Sequence, residues 1–262
     1  MAHFQTVILA TDTRGVATLT LNRPDKHNAM NAEMIAELAR AAAQLARDDK
    51  VRVVVLKANG KSFCAGGDLS WMREQAEKDR AGRIAEAQAL AHMLSALNTL
   101  PKPLISRVQG PAYGGGIGLM AVSDIAIAVE GTHFRLTETK LGLIPATIGP
   151  YVVRRMGEGF ARQVFFTGKG FDAQRALRCA LVAKTCTTED LDRLIEEEVK
   201  AVLKCAPGAV AAAKALCRTI TGPDPATYMD HTIEALADRW ESQEARQGIK
   251  AFFAKEKPPW VA

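Results

Sequence analysis

The chain has no apolar run approaching the roughly 18 residues that a membrane-spanning helix needs, so no such helix is expected. Its opening stretch, MAHFQTVILATDTRG, lacks the basic start and long apolar core of a secretion signal and reads as a strand. The cysteines (Cys64, Cys179, Cys186, Cys205 and Cys217) are odd in number, scattered and without a C-x-x-C pair. That pattern supports neither a disulfide framework nor a zinc site, and it fits a reducing, cytoplasmic setting. Blocks of like charge are missing, as is any Arg/Lys run with interleaved aromatics, so a nucleic-acid partner is not expected. The net charge of +5 suits a multiply phosphorylated small molecule equally well.

What is present is a chain of 262 residues, 48% hydrophobic and 24% charged, enough for one large domain around a sizeable core. Segments 4–10 and 15–22 are β-branched and flank a Thr-Asp-Thr-Arg-Gly turn, which predicts a hairpin. Residues 31–48 carry a helical pattern (Ile35, Leu38, Ala42, Leu45) behind Asn31 as N-cap. Residues 52–58 are a continuous apolar run of buried-strand length. Further on come a helix from Asp68, a helix over 83–99, a strand at 104–109, a helix over 115–122 and a strand at 124–129. Beyond residue 150 the pattern turns helical, over 150–167, 172–179, 188–204, 207–220 and 225–255, with a short β-like stretch at 181–185. The alternation predicts an α/β core of parallel strands over 1–200, followed by a helical region over 201–262.

Two glycine clusters stand out, Ala65-Gly66-Gly67-Asp68 and Gly114-Gly115-Gly116, each between a predicted strand and a predicted helix. The first N–H groups of a helix lack internal partners and sit at the positive end of its dipole. Two such turns brought together direct two N–H groups at one oxygen, the arrangement of an oxyanion hole. Taken singly, each cluster reads equally as a tight turn. The run Gly114–Gly118 has no glycine at 119 and no P-loop lysine, so it is not a nucleotide signature. Glu138 lies in the apolar stretch Leu136–Pro145 and is a candidate acid/base, because burial raises a carboxyl pKa toward neutrality. A helix-start glutamate, or one paired with Arg135 or Lys140, is the alternative.

Taken in order, the segments Leu21-Asn-Arg-Pro-Asp-Lys-His-Asn-Ala-Met, Phe63-Cys-Ala-Gly-Gly-Asp-Leu, Gly110-Pro-Ala-Tyr-Gly-Gly-Gly, Ser123-Asp-Ile-Ala-Ile-Ala, Phe134-Arg-Leu-Thr-Glu-Thr-Lys-Leu-Gly-Leu-Ile-Pro and Gly248-Ile-Lys-Ala-Phe-Phe-Ala-Lys-Glu-Lys-Pro resemble the enoyl-CoA hydratase/isomerase (crotonase) family over nearly the whole chain. The resemblance implies a spiral of ββα repeats, a C-terminal helical trimerisation region, and a homotrimer or hexamer. It implies an acyl-CoA thioester as substrate and no separate cofactor or metal. Gly67 and Gly115 match the positions whose N–H groups hold the thioester oxygen, and Glu138 matches a catalytic glutamate. Lys26, beside Arg23, matches the segment near the CoA phosphates, and Ala65 the backbone that meets the adenine. Ala29, Asp68, Leu69, Gly118 and Pro145 are further substrate-side positions by the same likeness, and Lys255 and Lys257 would face a neighbouring subunit's CoA.

One departure matters. Hydratases of that family carry a second glutamate where this chain has Gly118, so one carboxylate must serve as both acid and base, or the reaction is a double-bond shift. The missing side chain would open room for a branched or carboxylated acyl group, and segment 137–151 is similar to bacterial hydratases of branched glutaconyl-CoA esters. Other thioester chemistry and a non-catalytic RNA-binding relative are the remaining readings. Tyr113, Trp71 and Met72 are expected to line the acyl pocket. Cys64 reads as a buried thiol, Asp68 also as a helix cap, Asp124 as structural, His27 as packing or phosphate contact, and His133 as a surface histidine.

Overall fold

The fold starts from a hairpin that Asp12 closes. Its carboxylate accepts the N–H groups of Arg14 and Val16, and the flanking strands Val7–Thr11 (β1) and Val16–Leu21 (β2) pair antiparallel. In this computed structural model, which describes residues 4–222 and 224–261, β2 then pairs in parallel with Val53–Ala58 (β3). Leu104–Val108 (β4), Ile125–Val129 (β6) and Lys184–Cys186 (β9) extend the sheet in the order β1-β2-β3-β4-β6-β9. The unbroken apolar run of β3 follows from burial on both faces. Val54 and Leu56 point into the main core, while Val53 and Val55 point into a second cluster under the helix Leu191–Leu203 (α8), with Leu191, Ile195 and Val199.

A second, smaller sheet is made of very short strands: Ala112–Tyr113 (β5), His133–Arg135 (β7) and Phe171–Asp172 (β8). Single parallel bridges, Cys64 with Ala112 and Met30 with Gly67, continue it by two more passes. Four of the large-sheet strands, β2, β3, β4 and β6, each lead to a short segment in the small sheet and then to a helix. β2 leads through Met30 to Ala32–Arg47 (α1). β3 leads through Cys64–Gly67 to Leu69–Glu77 (α2) and Arg80–Thr99 (α3). β4 leads through β5 to Gly115–Val122 (α4). β6 leads through β7 to Gly149–Met156 (α5) and Glu158–Thr167 (α6). This is the expected spiral of ββα units. The single helix predicted over 150–167 is broken at Gly157, and the one over 225–255 is broken at Ser242, whose hydroxyl caps the next helix by accepting the Ala245 N–H.

Ala173–Arg178 (α7) precedes β9. After α8 come Pro207–Thr219 (α9), Met229–Glu241 (α10) and Gln243–Ala254 (α11). Two basic side chains tie this region to the core. Lys214 Nζ lies 2.7 Å from Asp124 Oδ2 and 3.1 Å from the Lys102 carbonyl, and Arg52 donates to the carbonyls of Leu203, Cys205 and Trp260. No helix among the described residues is long and apolar enough to cross a membrane.

The chain start is held by one buried carboxylate. Glu37, 1% exposed on α1, accepts the N–H of Gln5 at 2.8 Å, the N–H of Thr6 at 2.8 Å and the Thr6 hydroxyl at 2.5 Å. Burial alone raises this carboxyl's pKa, but the Thr6 hydroxyl and the two N–H groups outweigh it and leave the pKa below the ordinary glutamate value. Its stabilising contribution is therefore present above the unfolded-state pKa and is lost as pH falls through the lowered folded value. Glu37→Ala strands two buried donors and should cost about 1–3 kcal/mol in denaturant unfolding at neutral pH. The difference from the parent should shrink in acid. A variant as stable as the parent at pH 7 would refute this anchoring role.

Candidate active site

Four segments far apart in sequence are joined by backbone hydrogen bonds of the small sheet. Ala65 N–H donates to His27 O at 3.0 Å, Met30 N–H to Gly66 O at 2.7 Å, and Asp68 N–H to Met30 O at 2.8 Å. Tyr113 N–H donates to Cys64 O at 2.9 Å, and Gly114 N–H to Arg135 O at 3.0 Å. Residues 26–30, 64–68, 112–116 and 133–138 are thereby placed side by side. Among the described residues, these bonds leave the N–H groups of Gly67 and Gly115 without a backbone acceptor. Gly115 opens α4, whose dipole adds to whatever its N–H binds.

Two positions here require glycine. Gly114 has φ 45° and ψ −115°, a conformation that a side chain would strain. A Cβ on Gly116 would lie 2.5 Å from the Cys64 carbonyl oxygen, so only hydrogen lets α4 approach the first glycine turn. Cys64 is fully buried and its thiol is pushed up to about 12, which makes it an inert packing group, as expected.

Glu138 begins a short 3-10 turn, Glu138–Leu141, that follows β7. Its Oε1 lies 3.2 Å from where a Cβ on Gly114 would stand, which puts the carboxylate beside the N-terminus of α4. Its Oε2 is buried and has no hydrogen-bond partner. Burial pushes this carboxyl above the ordinary glutamate value, partly opposed by its own N–H and that of Thr137. A half-dry carboxylate with one oxygen left without a partner costs stability and is poised to take up a proton. Among the described residues neither Arg135 nor Lys140 forms an ion pair with it, so the paired alternative falls away, while Glu138 does stand at the start of a 3-10 turn.

The other expected residues divide into those at this junction and those turned elsewhere. Ala65 is half-buried in the turn, Ala29 is buried beside it, and Lys26 is exposed at the end of the 3-10 turn Pro24–Lys26. Met72 and Trp71 cover Gly67, with Met72 Sδ 3.4 Å and Trp71 Cζ3 3.6 Å from the point a Cβ would occupy. The Trp71 indole donates to Glu86 Oε2 at 3.2 Å, and Glu86 also pairs with Lys78. Pro145 is buried in the loop after Glu138, and Leu69 is 74% exposed at the start of α2. His133 is exposed on β7, and His27 Nδ1 contacts the Ser62 hydroxyl at 3.0 Å. Lys255 caps α11 in a left-handed conformation.

Two expectations need correction. The Asp68 side chain is not free for a ligand: Oδ1 accepts the N–H groups of Ser70 and Trp71, and Oδ2 pairs with Arg23 at 2.9 Å. The same pair engages Arg23, the neighbour of the expected Lys26 segment, whose other guanidinium nitrogen donates to Ala29 O. The room expected at Gly118 is also not open. Ile148 Cγ2 lies 2.5 Å, and Leu94 Cδ2 3.6 Å, from where a Cβ at 118 would sit. Ile148, Glu86 and the Arg23–Asp68 pair were not anticipated. An isoleucine ten residues past Glu138 gives no sequence signal of where the loop returns it.

A family model described as enoyl-CoA hydratase/isomerase matches residues 11–262. A solved structure of an enoyl-CoA hydratase from Shewanella pealeana superposes with a TM-score of 0.95 at 41% identity, covering 98% of this chain and 96% of that one. The short-chain-enoyl-CoA hydratase of Clostridium acetobutylicum is 31% identical over 246 residues, 92% of each chain. A trans-2-decenoyl-[acyl-carrier-protein] isomerase of Streptococcus mutans is 28% identical over 249 residues, 94% of this chain and 95% of its own.

The two roles of Asp68 are separable. Asp68→Asn keeps an N-cap and loses the ion pair, whereas Asp68→Ala loses both and should cost about 1 kcal/mol more in thermal or denaturant unfolding. If Asp68 instead touched the ligand, Asn would raise KM and leave stability unchanged.

Proposed function

The chain belongs to the enoyl-CoA hydratase/isomerase family, and on that footing we propose that it adds water to a 2-enoyl-CoA to give the 3-hydroxyacyl-CoA. The observation that carries the reading is the half-dry carboxylate of Glu138, its Oε2 without a partner, beside the start of α4 in a junction where the N–H groups of Gly67 and Gly115 have no backbone acceptor. The thioester carbonyl oxygen accepts both N–H groups. As water attacks the β-carbon, its proton passes to the Glu138 carboxylate, electrons move to the thioester oxygen, and Glu138 returns the proton to the α-carbon. The enolate is the species the site stabilises, and one such donor is worth about 3–4 kcal/mol. CoA is part of the substrate, with Lys26 near its phosphates and the Ala65 backbone near the adenine.

Double-bond migration is the second reading. At the junction the Asp68 carboxylate is taken up by its helix cap and Arg23, which leaves Glu138 as the available carboxylate, and the side chain facing Gly118 is the apolar Ile148, which offers no hold for water. Isomerisation needs only one base to carry a proton between two carbons through the same enolate. A branched, glutaconyl-type acyl group is the finer substrate expectation, and it loses the room that was to favour it. It rests on the likeness of segment 137–151 alone, because the space at Gly118 is filled.

We also propose that the protein self-associates as a trimer, or as a hexamer of paired trimers. Met229, Ile233, Leu236 and Trp240 form an exposed stripe on α10, and Phe252 and Phe253 are exposed on α11. Such a face is costly in water unless another surface covers it. A monomeric mass by light scattering would refute this.

Incubation with 2-enoyl-, 3-enoyl- and glutaconyl-type CoA esters separates the reactions: product heavier by one water marks a hydratase, and unchanged mass with a moved double bond an isomerase. Glu138→Gln should lower kcat about 10²- to 10⁴-fold while thioester binding stays within a few-fold. Because the base must be ionised and its pKa is raised, kcat/KM should fall on the acid side at a pH above the ordinary glutamate range. Normal turnover by Glu138→Gln would sink the assignment.

A further inference from the structure

Gly115 and Gly118 stand three apart on α4, so their Cα–H faces are neighbours, with about 5–6 Å between the Cβ positions of such a pair. Neither place is empty. Met30 Cε lies 2.0 Å from the Cβ position of Gly115, and Ile148 Cγ2 lies 2.5 Å from that of Gly118, with the Ile148 Cβ 3.2 Å away. The glycine face of α4 is therefore surfaced by two side chains from other segments. The two differ in stiffness. Met30 is unbranched and adaptable, whereas the β-branched Ile148 has few rotamers and forms a firm wall.

Backbone bonds fix where that wall stands. Ile148 O accepts the N–H groups of Tyr151 and Val152 at 3.1 Å each, which pins it as the residue opening α5. The loop that leads to it begins at Glu138 and is tied by Leu143 N–H to Glu138 O at 3.0 Å and by the Thr139 hydroxyl to Phe165 O at 2.6 Å. Both ends of one loop thus meet α4: the carboxylate near Gly114 and the isoleucine at Gly118, with Leu94 of α3 closing the far side. Ile148 is itself buried in the main core, so its side chain faces an acyl group that runs from Gly115 N–H along this face of α4.

We propose that Ile148 is a specificity-determining residue, whose side chain fills the volume beside Gly118 and limits the width of the acyl group that can lie along α4. The inference rests on the acyl-CoA reading of the site. Its chemistry is steric and apolar: straight acyl chains pass the wall, and chains branched near the reacting carbons collide with it.

The test compares kcat/KM for straight and methyl-branched 2-enoyl-CoA esters in the parent, Ile148→Val, Ile148→Ala, Gly118→Ala and the Gly118→Ala/Ile148→Ala pair. Ile148→Ala should raise the branched-to-straight ratio about tenfold, the scale set by a missing methylene or two in an apolar pocket. Ile148→Val should move it the same way by less, and it carries the test if the alanine variant does not fold. Gly118→Ala puts a methyl group into the filled volume and should lower the ratio, and the paired variant should return it toward the parent. An active parent whose ratio stays within about twofold in the Ile148 variants overturns the inference alone. A parent that turns over no enoyl-CoA ester overturns the acyl-CoA reading, and the inference with it.

Discussion

Everything at the site depends on backbone hydrogen bonds between successive turns of the spiral. The bonds from Ala65 to His27, Met30 to Gly66, Tyr113 to Cys64 and Gly114 to Arg135 consume the polar groups of four loops. A buried peptide group without a partner costs on the order of 1–3 kcal/mol, so these loops gain by lining up as a sheet even though each contributes only one to three residues. The lining-up has a geometric remainder. Strand pairing ends at each glycine turn, and there the N–H groups of Gly67 and Gly115 are left over, on adjacent turns of the same spiral. The pair of leftover N–H groups is thus a by-product of how the small sheet stops.

The same economy explains the carboxylate. A glutamate at the end of β7 is carried to α4 by the sheet, and the surrounding loop then shuts water away from Oε2 without offering it a donor. Elsewhere in the molecule buried acids are satisfied: Glu37 by two N–H groups and a hydroxyl, Asp68 by two N–H groups and Arg23. Burial of Glu37 and Asp68 ends in lowered pKa values, and burial of Glu138 in a raised one. The contrast lies in the partners, since desolvation acts in the same direction on all three.

Much of this was legible in the sequence because it is local. The apolar run of β3, the Asn31 cap of α1, and the two strand–glycine–helix junctions each lie within a few residues and carry their own physical signal. The strands of the small sheet were harder, since β5 and β8 are two residues long and show no period. What the sequence concealed is the identity of neighbours across the spiral. Gly118 read as a space because its own side chain is absent, and only the path of the loop from Glu138 to α5 reveals that Ile148 fills it. Asp68 read as a ligand contact by likeness and as a cap by local pattern. The local pattern was right, and the addition of Arg23 comes from a contact 45 residues away.

Hydration and double-bond migration differ on this scaffold by very little. On the reading proposed above, both pass through the same enolate, held by the N–H groups of Gly67 and Gly115, and both return a proton from Glu138. They part only in what meets the β- or γ-carbon, a water molecule or the same carboxylate. In the proposed acyl path the side chains of Ile148 and Leu94 beside Gly118 supply no hydrogen-bond partner, so a water arriving there would be oriented by Glu138 itself. One carboxylate can orient the water, take its proton and return it to the neighbouring carbon on the same face. The apolar wall therefore does not forbid hydration. It confines hydration to the face of the acyl group that looks toward Glu138, and so ties the choice of reaction to how the acyl chain is pressed against α4.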